Sequence, residues 1–289
     1  MREPLVEHRL ELAGTSTRAL ELEGEGPPLL FLHGFADSAD TWRSALDLLA
    51  RRGRRALAVD LPGYGAADPL APGRPVLEQY RAFAAAAVEH VHAEHGEPVV
   101  LCGNSLGGCI TLRAAEDDAL PLAAAVPVAP AGFDMPVWFR IIEAHPLVRG
   151  VLSAPVPVPE RVVRRMVGDA YRALAFARPR AVTAEVVAAF TAHHRSRSAV
   201  NRMLDNGRRV LPELHDCFAL DRIAVPVLLI WGSADRMVTH EGSRHVLDAL
   251  PGVRYELLDG IGHCPQVEAP ARFVDLLEGF VDQLAAARR

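Results

Sequence analysis

Three residue types that together perform nucleophilic catalysis stand at the ends of apolar runs in this chain. Gly103-Asn104-Ser105-Leu106-Gly107 lies between the apolar run Val99-Val100-Leu101-Cys102 and a stretch of helix formers from Leu106 to Glu116. Glycines on both sides of a serine allow a sharp strand-to-helix turn with strained backbone angles, which pushes the hydroxyl out toward a substrate. Such a hydroxyl needs a base to take its proton, a group to orient that base, and donors for the oxyanion that develops. For the base, Gly262-His263-Cys264-Pro265 follows the last apolar run and is bordered by glycine and proline, which places His263 on a tight loop. His90, His92 and His95 fall on a helical stretch, and His193, His194 and His215 fall in a region without strands. For the orienting carboxylate, Leu229-Ile230-Trp231-Gly232-Ser233-Ala234-Asp235 runs from a buried strand into a turn and presents Asp235, with Asp134 and Asp259 as rivals. The order serine, acid, histidine, with the acid after the penultimate strand, favours Asp235. The donors are expected to be the backbone amides of Leu106, at a helix start, and of Phe35 in His33-Gly34-Phe35. His33 is read as ordering that loop by hydrogen bonding and not as a base.

The elements that must position these groups alternate. Short continuous apolar runs at Leu29-Leu30-Phe31-Leu32, Ala56-Leu57-Ala58-Val59, Val99-Val100-Leu101, Ala123 to Val128, Val227-Leu228-Leu229-Ile230 and Tyr255-Glu256-Leu257-Leu258 suit strands covered on both faces. Between them Thr41 to Arg51, Val76 to His95, Ser243 to Ala249 and Pro270 to Ala287 suit helices. Repeated strand and helix units predict an α/β fold with a mostly parallel sheet. Leu5 to Leu12 and Thr17 to Leu22, joined by Ala13-Gly14-Thr15-Ser16, are expected to form a hairpin at its edge. The alternation stops between Ala131 and about Arg222. There prolines at 136, 146, 155, 157, 159, 179 and 212 break the chain into several short helices. The expected organisation is one core, 1–130 and 223–289, with 131–222 inserted.

The 289 residues, half of them apolar, suffice for one sizeable core. A net charge of -5 argues against a nucleic-acid partner and for a small-molecule substrate, and the fact that all 31 basic residues are arginine carries no weight for function. The start, Met1 to His8, lacks the apolar core of a secretory signal, and no apolar run reaches the roughly 18 residues that span a bilayer, so a cytoplasmic protein is expected. Cys102, Cys109, Cys217 and Cys264 have no metal-ligand spacing and read as reduced core residues. The oligomeric state is not encoded in any pattern found.

The motifs together resemble the α/β-hydrolase family from Leu29 to Phe280. His33-Gly34-Phe35 resembles its oxyanion loop, Asp60-Leu61-Pro62-Gly63-Tyr64-Gly65 the turn after the next strand, Gly103 to Gly108 the nucleophile elbow, Trp231-Gly232 through Asp235 the acid turn, and Gly262-His263 the histidine loop. The resemblance implies an eight-stranded, mostly parallel sheet flanked by helices and a helical cap at 131–222. It also implies a catalytic set of Ser105, Asp235 and His263, an oxyanion hole of Phe35 and Leu106, and no metal or organic cofactor. A serine at the elbow, where family members that open epoxides carry aspartate, implies hydrolysis of a carboxylic ester through an acyl-enzyme. Thioesters, lactones and peroxide-dependent chemistry on the same residues stay open, and so do two further alternatives. Gly103-Asn104-Ser105-Leu106-Gly107-Gly108 resembles the branch that cleaves carbon-carbon bonds in dienol diketones, although Phe35-Ala36-Asp37-Ser38 looks more like an esterase or lipase. A ligand-binding receptor on the same fold is the other. In the insertion, Trp138, Phe139, Phe176, Phe190 and Met203 are candidates for an apolar pocket or for packing, and Arg140, Arg164, Arg165, Arg195 and Arg197 for an acidic-group site or solvated helix faces.

Overall fold

The short apolar runs become the strands of a single sheet in the computed structural model, which describes residues 5–134, 159–193 and 196–287. In chain order the strands are β1 (Val6–Leu12), β2 (Thr15–Leu22), β3 (Glu25–Leu32), β4 (Arg54–Val59), β5 (Val99–Asn104), β6 (Leu122–Val128), β7 (Leu228–Gly232) and β8 (Arg254–Leu258). Their spatial order is β1-β2-β4-β3-β5-β6-β7-β8. β2 pairs antiparallel with both β1 and β4, and every other pairing is parallel. The edge hairpin is tighter than the four-residue connection expected. Ala13 and Gly14 both adopt positive φ, 49° and 74°, so a two-residue turn brings Leu12 opposite Thr15. Two consecutive left-handed residues match the twist of the flanking strands.

Parallel strands bury both faces, and the helices between them supply the cover. On one face α1 (Arg43–Arg51) and the C-terminal helix Pro270–Ala287 bring Trp42, Leu46, Phe273 and Leu277 against Phe31, Val100 and Ile230. On the other, α2 (Val76–His95) and α3 (Leu106–Ala115) bring Tyr80, Phe83, Val88 and Leu112 against Leu30, Leu101 and Leu229. The helix expected from Thr41 begins as a 3-10 turn, Ala39–Trp42, and becomes α-helical at Arg43. After β3 the chain moves outward to β4, and after β4 it returns to β5 on β3's other side. Open sheets gather their ligand sites at the carboxyl ends of strands where the winding direction reverses. Here that crevice lies between the loop after β3 and the turn after β5.

Between β6 and β7 the described residues hold no strand. They form α4 (Glu160–Ala175), α5 (Ala184–Thr191) and α6 (Arg197–Val210) with short 3-10 turns. Thr183 and Ser196 cap α5 and α6 by accepting the backbone N–H of Val186 at 3.5 Å and of Ala199 at 3.2 Å. Trp138, Phe139, Arg140 and Arg195 lie outside the described residues. All four cysteines are buried free thiols. The nearest pair, Cys109 and Cys217, sits 3.9 Å apart at sulfur, well beyond the roughly 2.05 Å of a disulfide bond. No helix among the described residues is long and apolar enough to cross a membrane.

The close approach of α3 to β5 and to the end of β3 makes two glycines indispensable. A Cβ on Gly103 would collide with the Gly107 carbonyl, and one on Gly107 with the Leu32 carbonyl. Both obstacles are backbone and cannot rotate away. Gly107→Ala should therefore destabilise the fold by about 3 kcal/mol or prevent folding, read as the denaturant midpoint. A loss below about 1 kcal/mol would show that strand and helix can separate at no cost.

Candidate active site

Ser105 occupies the turn between β5 and α3 with φ 55° and ψ −112°. A serine holds such angles only where its surroundings enforce them, at a cost of about 1–3 kcal/mol. Three backbone bonds do so: Ser105 N–H donates to the Val128 carbonyl at 2.9 Å, and the Ser105 carbonyl accepts from Cys109 at 2.9 Å and Ala131 at 3.0 Å. Gly34 lies so close that a Cβ there would stand 3.2 Å from the Ser105 Cβ. The loop after β3 is thereby held against the serine.

Twenty-eight residues separate Asp235 from His263 in sequence, yet Asp235 Oδ2 lies 2.7 Å from His263 Nδ1. The other carboxylate oxygen, Oδ1, accepts the backbone N–H groups of Met237 at 2.8 Å and Val238 at 3.0 Å. The pair is buried, with His263 3% and Asp235 6% exposed. The far ring nitrogen, Nε2, is buried and has no hydrogen-bond partner among the described residues. His263 lines the cavity that Ser105 also lines, and no hydrogen bond joins the two side chains. The histidine loop is pinned on two sides. Glu268 accepts the Gly262 N–H at 2.8 Å, and His263 N–H donates to the Ala175 carbonyl of α4 at 2.8 Å. The rival carboxylates are engaged elsewhere: Asp134 with Arg244 at 2.8 Å and His245 at 3.3 Å, Asp259 with the Ser233 hydroxyl at 3.2 Å.

Phe35 and Leu106 both line the cavity, as does Ser105. The Phe35 ring is held edge-on by Tyr64, centroids 5.6 Å apart. His33 fixes the loop from beneath. Its Nδ1 lies 2.7 Å from the Gly34 carbonyl, and its Nε2 accepts the Leu61 N–H at 2.8 Å. Burial lowers its pKa to about 4, against the pull of nearby Asp60. The native chain therefore binds fewer protons than the unfolded one between about pH 4 and 6.5, and the stability His33 contributes is lost as pH falls through that window. Wild-type protein should lose more of its urea midpoint on acidification across it than His33→Gln does. Parallel curves for the two proteins would remove this role.

Asn104, whose side chain the sequence offers as a backbone support for the elbow, reaches farther than its own turn. Its amide donates to the His263 carbonyl at 3.0 Å and the Val128 carbonyl at 3.3 Å, tying the serine turn to the histidine loop. The cavity these residues border has a volume of about 260 Å³. Val167 and Leu174 of α4, Phe190 of α5, and Met203 and Leu204 of α6 line it with carbon. Of the aromatic candidates among the described residues between β6 and β7, Phe190 lines the cavity, whereas Phe176 is packed against Ala175 and Cys264. Arg165 is solvated beside Asp169, 3.7 Å away.

The model of the alpha/beta hydrolase family matches residues 29–276. An uncharacterized protein of Mycobacterium tuberculosis is 28% identical over 278 residues, covering 92% of this chain and 78% of its own length. A pimeloyl-acyl-carrier-protein methyl ester esterase of Aromatoleum aromaticum is 28% identical over 264 residues, covering 88% of this chain and 98% of its own. Among solved structures, Cfl2 of Burkholderia cenocepacia shares the fold with a TM-score of 0.77 at 17% identity, over 95% of both chains.

Proposed function

The chain belongs to the alpha/beta hydrolase family, and on that premise we propose that it is a serine hydrolase that cleaves a carboxylic ester of a small or medium apolar substrate. The observation that carries this reading is the Asp235–His263 pair at 2.7 Å, whose Nε2 has no partner among the described residues, on a histidine that lines the same cavity as a serine held at positive φ. With Asp235 bonded to Nδ1, the Nδ1–H tautomer leaves the Nε2 lone pair free to take a proton. Ser105 Oγ attacks the acyl carbon as His263 Nε2 accepts its proton. The same nitrogen then protonates the leaving alcohol. Water repeats the sequence on the acyl-enzyme and releases the acid. The backbone amides of Phe35 and Leu106 receive the oxyanion of each tetrahedral intermediate. Residues 131–222 act as a helical cap, and their carbon-lined underside receives the apolar part of the substrate.

The Gly-Asn-Ser sequence does not require carbon-carbon bond chemistry in this reading, because Asn104 is committed to two backbone carbonyls. A panel of nitrophenyl esters run beside a ring-fission dienol diketone tests the choice. Esters should be turned over at least tenfold faster, and a preference for the diketone would replace ester hydrolysis with the carbon-carbon reaction. Failure of a fluorophosphonate to label well-folded protein would instead favour a binding role.

A further inference from the structure

The cavity wall is carbon except at a few points, and most of those are occupied. Ser105 and His263 serve the reaction, Asn104 is bonded to backbone, and Arg208 lies by Asp205 at 4.0 Å and is 39% exposed. The polar side chains left over are Asp37, from the loop after β3, and Tyr171, from α4. Asp37 is 7% exposed. Its Oδ1 accepts the Ser38 N–H at 2.8 Å, and the Thr41 hydroxyl bonds the same carboxyl. Tyr171 is locked in place: its ring stacks on Phe190 with centroids 3.6 Å apart and meets Phe176 edge-on at 5.0 Å. Its phenol neighbours the Cys264 thiol, and Cys264 and Asp37 line the same cavity.

We propose that Asp37 and Tyr171 form a polar subsite inside the apolar cavity that holds a hydroxyl group of the substrate, so that the preferred esters carry a hydroxyl near the scissile bond. The proposal rests on the serine-hydrolase reading of the same site. A buried carboxyl and a phenol that share one largely apolar cavity form a hydrogen-bonding station for a group that both accepts and donates. A hydroxyl does both: its oxygen accepts the Tyr171 O–H while its hydrogen goes to Asp37. Burial raises the Asp37 carboxyl to about 7, with Asp40 and Asp60 adding to the rise. A hydroxylated ester adds a hydrogen-bond partner for both groups that an apolar ester cannot supply, and sites of this kind discriminate strongly.

The experiment uses paired esters that differ by one hydroxyl, placed on the acyl chain in one series and on the alcohol in the other. In one of the series, wild-type protein should show kcat/KM at least tenfold higher for the hydroxylated member, most of it in KM. Tyr171→Phe keeps both ring contacts and removes only the phenol oxygen, and it should lower that preference at least fivefold. Asp37→Leu should erase it, with fluorophosphonate labelling at Ser105 reporting that the variant is folded. If Asp37→Leu does not fold, Tyr171→Phe decides alone. A labelled wild-type enzyme that treats both members of every pair alike, or a preference that Tyr171→Phe leaves intact, overturns the subsite and spares the hydrolase. Absence of labelling in wild-type protein overturns both.

Discussion

Ser105→Ala should abolish fluorophosphonate labelling and lower ester turnover by roughly 10⁶-fold, as removal of a serine nucleophile does in enzymes of this mechanism. The change removes one oxygen from a residue that is already 8% exposed. It leaves untouched the three backbone bonds that hold the turn, so the fold should survive with its denaturant midpoint nearly unchanged. His263→Ala should cost about as much as Ser105→Ala, and the double variant no more than either, because a nucleophile and its base act as one unit. Multiplying losses would indicate two independent contributions. Single-variant turnover within about tenfold of wild type would place the chemistry at another residue.

The parts of this site that were legible in the sequence are those fixed by local backbone demands. Gly103 and Gly107 announce a strand packed on a helix because any Cβ there meets backbone. Gly262 and Pro265 announce a loop around His263, and the short apolar runs announce buried parallel strands. Asp235 was reachable only through the order of the motifs, since an aspartate beside glycine and serine is equally at home capping a turn. Its carboxylate in fact does both, bonding Met237 and Val238 N–H through one oxygen and His263 through the other.

The rest depends on meetings that no local pattern records. Asn104 reaches the carbonyl of a residue 159 positions later. Asp37 and Tyr171 come from a loop and an inserted helix that share a cavity only in the folded chain. Helical spacing in the insertion is equally compatible with lining and with packing, which is why Phe190 and Phe176, 14 residues apart in one aromatic cluster around Tyr171, end in different places. The hairpin at the edge was shorter than read because Ala13 takes a left-handed conformation beside Gly14, and alanine gives no warning of that.

Asp235→Asn should lower ester turnover by about 10⁴-fold with little change in stability, the size of effect seen when a triad carboxylate becomes an amide. The geometry dictates why a nearly isosteric change is so damaging. Two backbone N–H groups, from Met237 and Val238, point at Asp235 Oδ1. An asparagine must turn its carbonyl oxygen toward those two donors, because its amide hydrogens would clash with them. Its NH₂ then faces His263 Nδ1, which must become an acceptor and so carry no hydrogen. The ring proton moves to Nε2, the nitrogen that has to take the serine proton, and the base is blocked by tautomer alone. Raising pH cannot restore it, since the neutral imidazole is already the wrong form. Labelling by a fluorophosphonate should slow in parallel with turnover while the denaturant midpoint shifts little. Activity in Asp235→Asn close to wild type would mean that another group sets the His263 tautomer, and the 2.7 Å contact would then be structural only.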